Sequence, residues 1–259
     1  MEIHKLEEPL EEPLIVKIGW KRAVALLLVS LTCGCAGPNA TNTPDPPGNY
    51  ATKFPLIENP ISEGGKWVNG AVVGLDWANV STTPGRAVGN ETGARFSDGT
   101  AVLQTLSWKP DQKATAVVST TGAPLDDCSQ EIELRLRTVI TAHHITGYEV
   151  NYKFSTNSSA YMQIVRWNGA FADFTVLQNF SGQQFGVTDS DTVSATIVGN
   201  IITAYKNGVQ QGQVTDSTYS SGSPGIGFNL DNGSSGCRGT NATYGFSSFT
   251  AVDSTQGSL

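Results

Sequence analysis

The chain has 259 residues, with 16 Lys and Arg against 23 Asp and Glu, and a formal net charge of −7. That balance argues against nucleic acid, whose phosphates need a basic surface, and against electrostatic docking on anionic lipid. Hydrophobic residues make up 39% and charged residues 15% of the chain, and Gly occurs 28 times. This suits one large exported β domain or two small ones rather than a charged cytosolic enzyme.

Residues 1–36 stand apart from the fold. Met1 to Gly19 is acidic and carries two Glu-Glu-Pro-Leu repeats. Trp20-Lys21-Arg22 then supplies positive charge, and Ala23 to Leu31 (AVALLLVSL) is an apolar run too short to span a bilayer. Thr32-Cys33-Gly34-Cys35-Ala36 follows. The segment resembles a bacterial export signal, and Cys35 after the small Gly34 resembles a lipid-attachment site. Cys33 stands where such sites usually carry a small aliphatic residue, so cleavage after Ala36 is the competing reading. The expected location is the cell envelope as a lipoprotein, or the secreted fraction.

Gly37 to Tyr50 (GPNATNTPDPPGNY) is rich in Pro, Asn, Thr and Gly and cannot bury a core. It reads as a flexible tether over 37–50. The domain is expected over 51–252, with a frayed tail over 253–259.

Within the domain the dominant signal is alternation with a period of two. Strands are expected near Lys66–Val73, Ala101–Leu106 and Ala114–Ser119. The clearest is Glu131 to Ile140, with Ile132, Leu134 and Leu136 on one face and Glu131, Glu133, Arg135 and Arg137 on the other. Gly147 to Phe154, Tyr161 to Trp167 and Phe174 to Phe180 follow. Asp191 to Gly208 holds two alternating runs split by Gly199-Asn200 and closed by Asn207-Gly208. Gly and Asn tolerate the positive φ that tight hairpin turns need. Gly225–Leu230 and Tyr244–Val252 complete about a dozen strands, with no convincing amphipathic helix. The expected fold is all-β, a two-sheet antiparallel sandwich.

Two cysteines fall in the domain, Cys128 and Cys237. In an oxidising compartment one disulfide is the expected pairing, and two buried thiols are the alternative. Neither cysteine has further thiolate-site ligands at short spacing.

Several segments together carry a resemblance. They are the strand at Trp67, the GYEV and YMQIVRW strands, the hairpin Gly199–Gly208 (GNIITAYKNG), Gly225–Phe228 (GIGF) and the closing YGFSSFTAV. The chain resembles the concanavalin A-like lectin/glucanase superfamily in its laminin-G-like branch. The resemblance implies a jelly roll whose concave sheet often binds glycans. It does not decide between lectin and enzyme.

The hydrolases of that superfamily carry a Glu-x-Asp-x-x-Glu strand, which is absent here. Glu131 and Glu133 share a strand face, but Arg135 and Arg137 are expected to hold both ionised. Lyase-like fragments also occur: Glu133, Arg135 and Arg137; Gln163-Ile164; Tyr152, Lys153 and Tyr161. Val165 stands where the lyase His would be, and His143-His144 lie between strands. Asp126-Asp127, Asp189-Ser190-Asp191 and Asp231-Asn232-Gly233 read as turns, so no metal site and no cofactor is expected. A structural calcium ion is the alternative at those turns.

Among the tryptophans Trp67, Trp77, Trp108 and Trp167, the last is the best ligand candidate. It shares a face with Tyr161 and Gln163 and ends its strand at a turn, where rim residues sit. If the polar faces of three strands stack, Arg135, Arg137, Asn151, Lys153, Tyr161, Gln163 and Trp167 form one basic, amide-rich patch. That patch would suit an anionic or hydroxyl-rich polysaccharide. The leading expectation is therefore an exported carbohydrate-binding protein without catalysis. A polysaccharide lyase or hydrolase and a structural adhesion spacer are the alternatives. No nucleic acid is expected as partner, and a membrane only through the lipid anchor.

Overall fold

The period-two alternation gives each strand one apolar and one polar face, and two such sheets bury their apolar faces against each other. A computed structural model describes residues 48–92, 95–104, 107–125, 128–231 and 239–254. The first sheet runs β13-β12-β11-β6-β15-β4-β3, with β1 also paired to β15. Its strands are β1 (Asn49–Thr52), β3 (Val80–Thr83), β4 (Arg86–Gly89), β6 (Asp111–Thr120), β11 (Thr192–Val198), β12 (Ile201–Lys206), β13 (Val209–Thr215) and β15 (Tyr244–Ser254). The second runs β10-β9-β8-β7-β14-β5-β2. It comprises β2 (Trp67–Asn69), β5 (Gly99–Leu103), β7 (Ser129–Thr141), β8 (His144–Lys153), β9 (Tyr161–Gly169), β10 (Phe174–Ser181) and β14 (Ser223–Asp231). Every pairing between these strands is antiparallel. The expected jelly-roll sandwich is the fold.

The core forms where the alternation places it. Ile132, Leu134 and Leu136 of β7, Val150 and Tyr152 of β8, and Met162 and Ile164 of β9 meet Ala116, Ile197, Ala204 and Phe249 of the facing sheet. The Gly199-Asn200 and Asn207-Gly208 turns connect β11 to β12 and β12 to β13. Gly199, Asn207 and Gly208 all adopt positive φ, as those turns require.

Three features differ from the sequence expectation. Strand β1 begins at Asn49 and pairs Asn49 with Val252 and Tyr50 with Ala251. The segment ending in Tyr50 is therefore sheet at its last residues, and β15 runs on to Ser254. The expected strand over 66–73 ends at Asn69, and Ala71–Val73 form a 3-10 turn. Third, β7 carries a bulge between Leu136 and Val139, mirrored between Ser223 and Gly225 of β14. Arg137 takes φ 47 there.

That bulge has close-fitting glycines on both sides. A Cβ at Gly147 would stand 2.7 Å from the Thr138 Cα, and one at Gly222 would overlap the Arg137 carbonyl. Only a residue without Cβ lets the neighbouring backbones approach this closely.

Candidate functional site

The seven-stranded sheet turns its second face away from the core, and strand register decides what collects there. Glu131 lies opposite Lys153, Glu133 opposite Asn151 and Arg135 opposite Glu149. Asn151 lies opposite Gln163, and Gly147 opposite Trp167. Asn229 lies opposite Glu131, and Gly227 opposite Glu133. Arg135, Asn151, Lys153, Tyr161, Gln163 and Trp167 thus share one face, as the stacked polar stripes implied.

Arg137 does not join them. The bulge shifts the strand phase, and its guanidinium turns elsewhere. It donates to the carbonyls of Pro110 (2.7 Å), Tyr219 (2.9 Å) and Gly199 (2.8 Å). It is a structural clamp between strands and loops, not part of the patch.

A cleft of about 300 Å³ opens on the shared face. Its lining includes Asp98, Glu131, Glu149, Tyr161, Trp167 and Asn229, with Asn151, Gln163, Phe174 and Asp231 also contributing. The expected basic patch is in fact acidic. The sequence reading left out Glu149 and Asp98. Glu149 was visible as the polar neighbour of Asn151 and Lys153 on β8. Asp98 comes from the loop before β5 and gives no local signal.

Arg135 lies beneath the cleft and is fully buried. Its Nη1 donates to Glu149 Oε2 at 2.9 Å, and its Nη2 contacts Glu133 Oε2 and lies 3.5 Å from Asp98 Oδ2. The guanidinium sits 5.1 Å from the Trp77 ring centroid. Burial works against its charge, and the carboxylates of Glu133, Glu149 and Asp98 more than offset that, so its pKa lies above the ordinary arginine value. Carboxylate oxygens of Asp98, Glu133 and Glu149 lie within 4.8 Å of one another, a spacing that could hold a metal ion. Arg135 already supplies a cation among them.

One arginine cannot serve three buried carboxylates. Desolvation is the largest influence on Asp98 and Glu133, followed by repulsion from Glu149, and both pKa values lie well above the ordinary range. Glu131 is pushed up to about 6 by burial, against hydrogen bonds from Tyr161 and Asn229 that pull it down. The expectation that Arg135 and Arg137 hold Glu131 and Glu133 ionised is therefore corrected. Arg137 is absent from the face, and desolvation outweighs the remaining cation.

Trp167 is not a rim residue. It is 4% exposed and packs edge-on to Trp77 at 4.4 Å and against Phe174 at 5.0 Å. Its Nε1 donates to Glu149 Oε2 at 2.7 Å. With Leu75, Ile145 and Val165 these rings form a small second core beside the cleft. Tyr161 donates its hydroxyl to Glu131 Oε1. Lys153 Nζ donates to Ser159 Oγ at 2.9 Å and lies over the Tyr161 ring. Asn151 Nδ2 donates to Glu149 Oε1 at 2.9 Å, Gln163 Nε2 to Asn179 Oδ1 at 3.0 Å, and Asn229 Nδ2 to Glu131 Oε2 at 2.7 Å.

The remaining candidates resolve into structure. Trp67 is core, donating Nε1 to the Tyr50 hydroxyl at 2.8 Å. Trp108 packs partly buried against the main core. Tyr152 points inward and bonds the Tyr205 carbonyl, so it is no lyase tyrosine on this face. His143 sits in the β7–β8 turn, exposed, with Nδ1 2.8 Å from Asp76 Oδ2. Asp189 and Asp191 accept the backbone N–H groups of Thr120 and Thr188, which is turn chemistry. Cys128 is buried. Cys35, Cys237, Asp126-Asp127 and Asn232-Gly233 lie outside the described residues.

No protein-family model and no curated protein matches the sequence. Solved structures do match in fold. The VIP36 exoplasmic/lumenal domain in its Ca2+/Man-bound form aligns with a TM-score of 0.52 at 11% identity, over 80% of this chain and 92% of that one. The carbohydrate-binding module CBM66 from Bacillus subtilis aligns at 0.49 and 13% identity, over 73% and 96%. An endo-β-galactosidase from Clostridium perfringens that releases GlcNAcα1-4Gal aligns at 0.47 and 10% identity, over 81% and 63%. The likeness is one of fold.

Proposed function

We propose that this chain is an exported carbohydrate-binding protein that recognises a polysaccharide in the cleft of the seven-stranded sheet. One observation carries the reading. A cleft of about 300 Å³ combines aromatic surface from Tyr161 and Phe174 with amides and carboxylates from Asn151, Gln163, Asn229 and Glu131. Sugars present apolar C–H faces and hydroxyl donors and acceptors, and a site of this mixed character suits them. The mannose-bound state of the VIP36 domain is in keeping with that ligand class. In this reading Cys35 carries the lipid or the chain is secreted, residues 37–47 act as tether, and Cys128 pairs with Cys237.

A glycan array followed by calorimetry on the intact mature chain tests the reading. Binding to an oligosaccharide is expected, with Gln163→Ala and Tyr161→Phe each lowering affinity about fivefold or more, ~1 kcal/mol. Retention of full affinity by both variants would remove the cleft from the account.

A second reading, glycoside hydrolysis, is favoured by Glu131. A carboxyl with a pKa of about 6 beside Tyr161, in a cleft that also presents Glu149, has the character of a general acid. Reducing ends released from a bound glycan, and lost in Glu131→Gln, would establish that reading over the binder.

A further inference from the structure

The cleft is unusual for its charge. Carboxyl groups converge on it from four elements: Asp98 before β5, Glu131 of β7, Glu149 of β8 and Asp231 of β14. Against these four stand Lys153 at the far end of β8 and Arg95 at the rim, with Arg135 buried beneath and paired with Glu133. The Arg95 side chain is 71% exposed and 3.5 Å from Asp231. By count the acids outnumber these cations, and burial, which raises Asp98 well above the ordinary range and Glu131 to about 6, reduces the charge they carry.

The acceptors are also incompletely used. The Glu133 side chain is wholly buried, and its Oε1 has no hydrogen-bond partner among the described residues while Oε2 grips Arg135. Asn229 gives its Nδ2 to Glu131, and its Oδ1 is without a partner among the described residues. A buried acceptor left unpaired is destabilising. A ligand that brings hydrogen-bond donors meets Asn229, which lines the cleft, while Glu133 stays buried beneath it.

We infer that the cleft selects a protonated amino sugar, such as a deacetylated glucosamine unit, over neutral sugars and over uronates. The inference rests on the carbohydrate reading above and names its ligand class. A primary ammonium carries three donors and no acceptor, matching a lining of carboxylates and an amide oxygen. A uronate carboxylate would meet the carboxyl groups of Glu131, Glu149 and Asp231. The basic, uronate-suited patch expected from the strand faces is thus reversed by Glu149, Asp98 and the departure of Arg137.

The test uses the mature chain at pH 6.5 and low salt, with three tetrasaccharides of matched length: glucosamine, N-acetylglucosamine and a uronate. Calorimetry is expected to give the glucosamine oligomer at least tenfold tighter binding than its N-acetylated form, and no measurable binding of the uronate. Raising salt to 0.5 M is expected to erase most of that preference, because screening acts on charge and not on shape. Asp231→Asn, at the rim where folding tolerates change, is expected to reduce the preference about threefold or more. Glu131→Gln is expected to reduce it further.

Tight binding of the neutral or uronate oligomer in the cleft, with no gain from the amine, overturns this inference and leaves the carbohydrate reading standing. Absence of binding to any sugar overturns both. An amine preference unchanged in Asp231→Asn and Glu131→Gln also overturns it, since the charge would then lie elsewhere.

Discussion

Gly227 lies directly against the Glu133 carboxylate: a methyl group on its Cα would overlap Glu133 Oε2 and crowd Arg135 Nη2 at 2.7 Å. The G-I-G-F segment of β14 is therefore the bed on which the buried ion cluster rests. Two residues back on the same strand, Gly225 is similarly tight against the Ala101 carbonyl.

Gly227→Ala is expected to destabilise the fold by roughly 1–3 kcal/mol, the usual range for overpacking a filled interior. Arg135 and Glu133 have no exposed volume to retreat into. Urea denaturation should show a lower midpoint with an unchanged slope. A variant as stable as the parent would mean that the cluster does not rest on β14.

Arg135→Met is expected to cost about 3–5 kcal/mol. Removing one partner leaves Glu133, Glu149 and Asp98 buried without their shared cation. Arg135→Lys is expected to recover only part of the loss. A single ammonium cannot reproduce a planar fork that reaches two carboxylates while lying against Trp77. Equal stability of the Lys variant and the parent, by thermal melting, would contradict this.

Glu91 sets a pH dependence. It is 6% exposed, its Oε1 accepts the Gly99 N–H at 2.6 Å, and burial raises its pKa to about 8. Between the ordinary value of 4.5 and 8 the folded state holds a proton that the unfolded state has released. The associated stability is complete below pH 4.5 and is lost as pH rises to and through 8. Glu131, Asp98 and Glu133 act in the same direction, so the informative quantity is a difference. The melting temperature of the parent is expected to fall between pH 5 and pH 9 more steeply than that of Glu91→Gln. Parallel curves would show that Glu91 is ionised in the fold.

The proposed Cys128–Cys237 pairing is checked by thiol titration of the unfolded, unreduced domain. No reactive domain thiol is expected, and the Cys128→Ser, Cys237→Ser double variant should lose about 2–5 kcal/mol. Two titratable domain thiols would exclude the bridge.

Much of this architecture could be read from the chain. The strands β7, β8, β9 and β11–β12 were legible because alternation and Asn-Gly turns are local signals. Strands β1, β3, β4 and β13 were not. The first three have only four residues each, and β13 (VQQGQVT) is largely polar with a central Gly. The patch was half legible. Counting by twos along β7 placed Arg135 correctly but carried Arg137 with it, because a bulge announces itself only through glycines on other strands. Trp167 was assigned to the right face yet the wrong depth. The loop residues Leu75 and Trp77 fold over that face and bury it, and nothing near Trp167 in the chain foretells them. The sign of the charge was missed for the same reason: Asp98 arrives from a loop more than thirty residues upstream of Glu131 and Arg135.

Because Asn49 pairs with Val252, and the Gly48 N–H is held by Asp253 Oδ1 at 2.6 Å, the polypeptide enters and leaves the sandwich at one spot. Tension applied through the two ends would peel β1 from β15 one rung at a time, like a zip, and would not load the rest of the sheet in parallel. A domain held at a surface and tugged by a polymer in its groove would feel that load along a different line from one pulled by its ends.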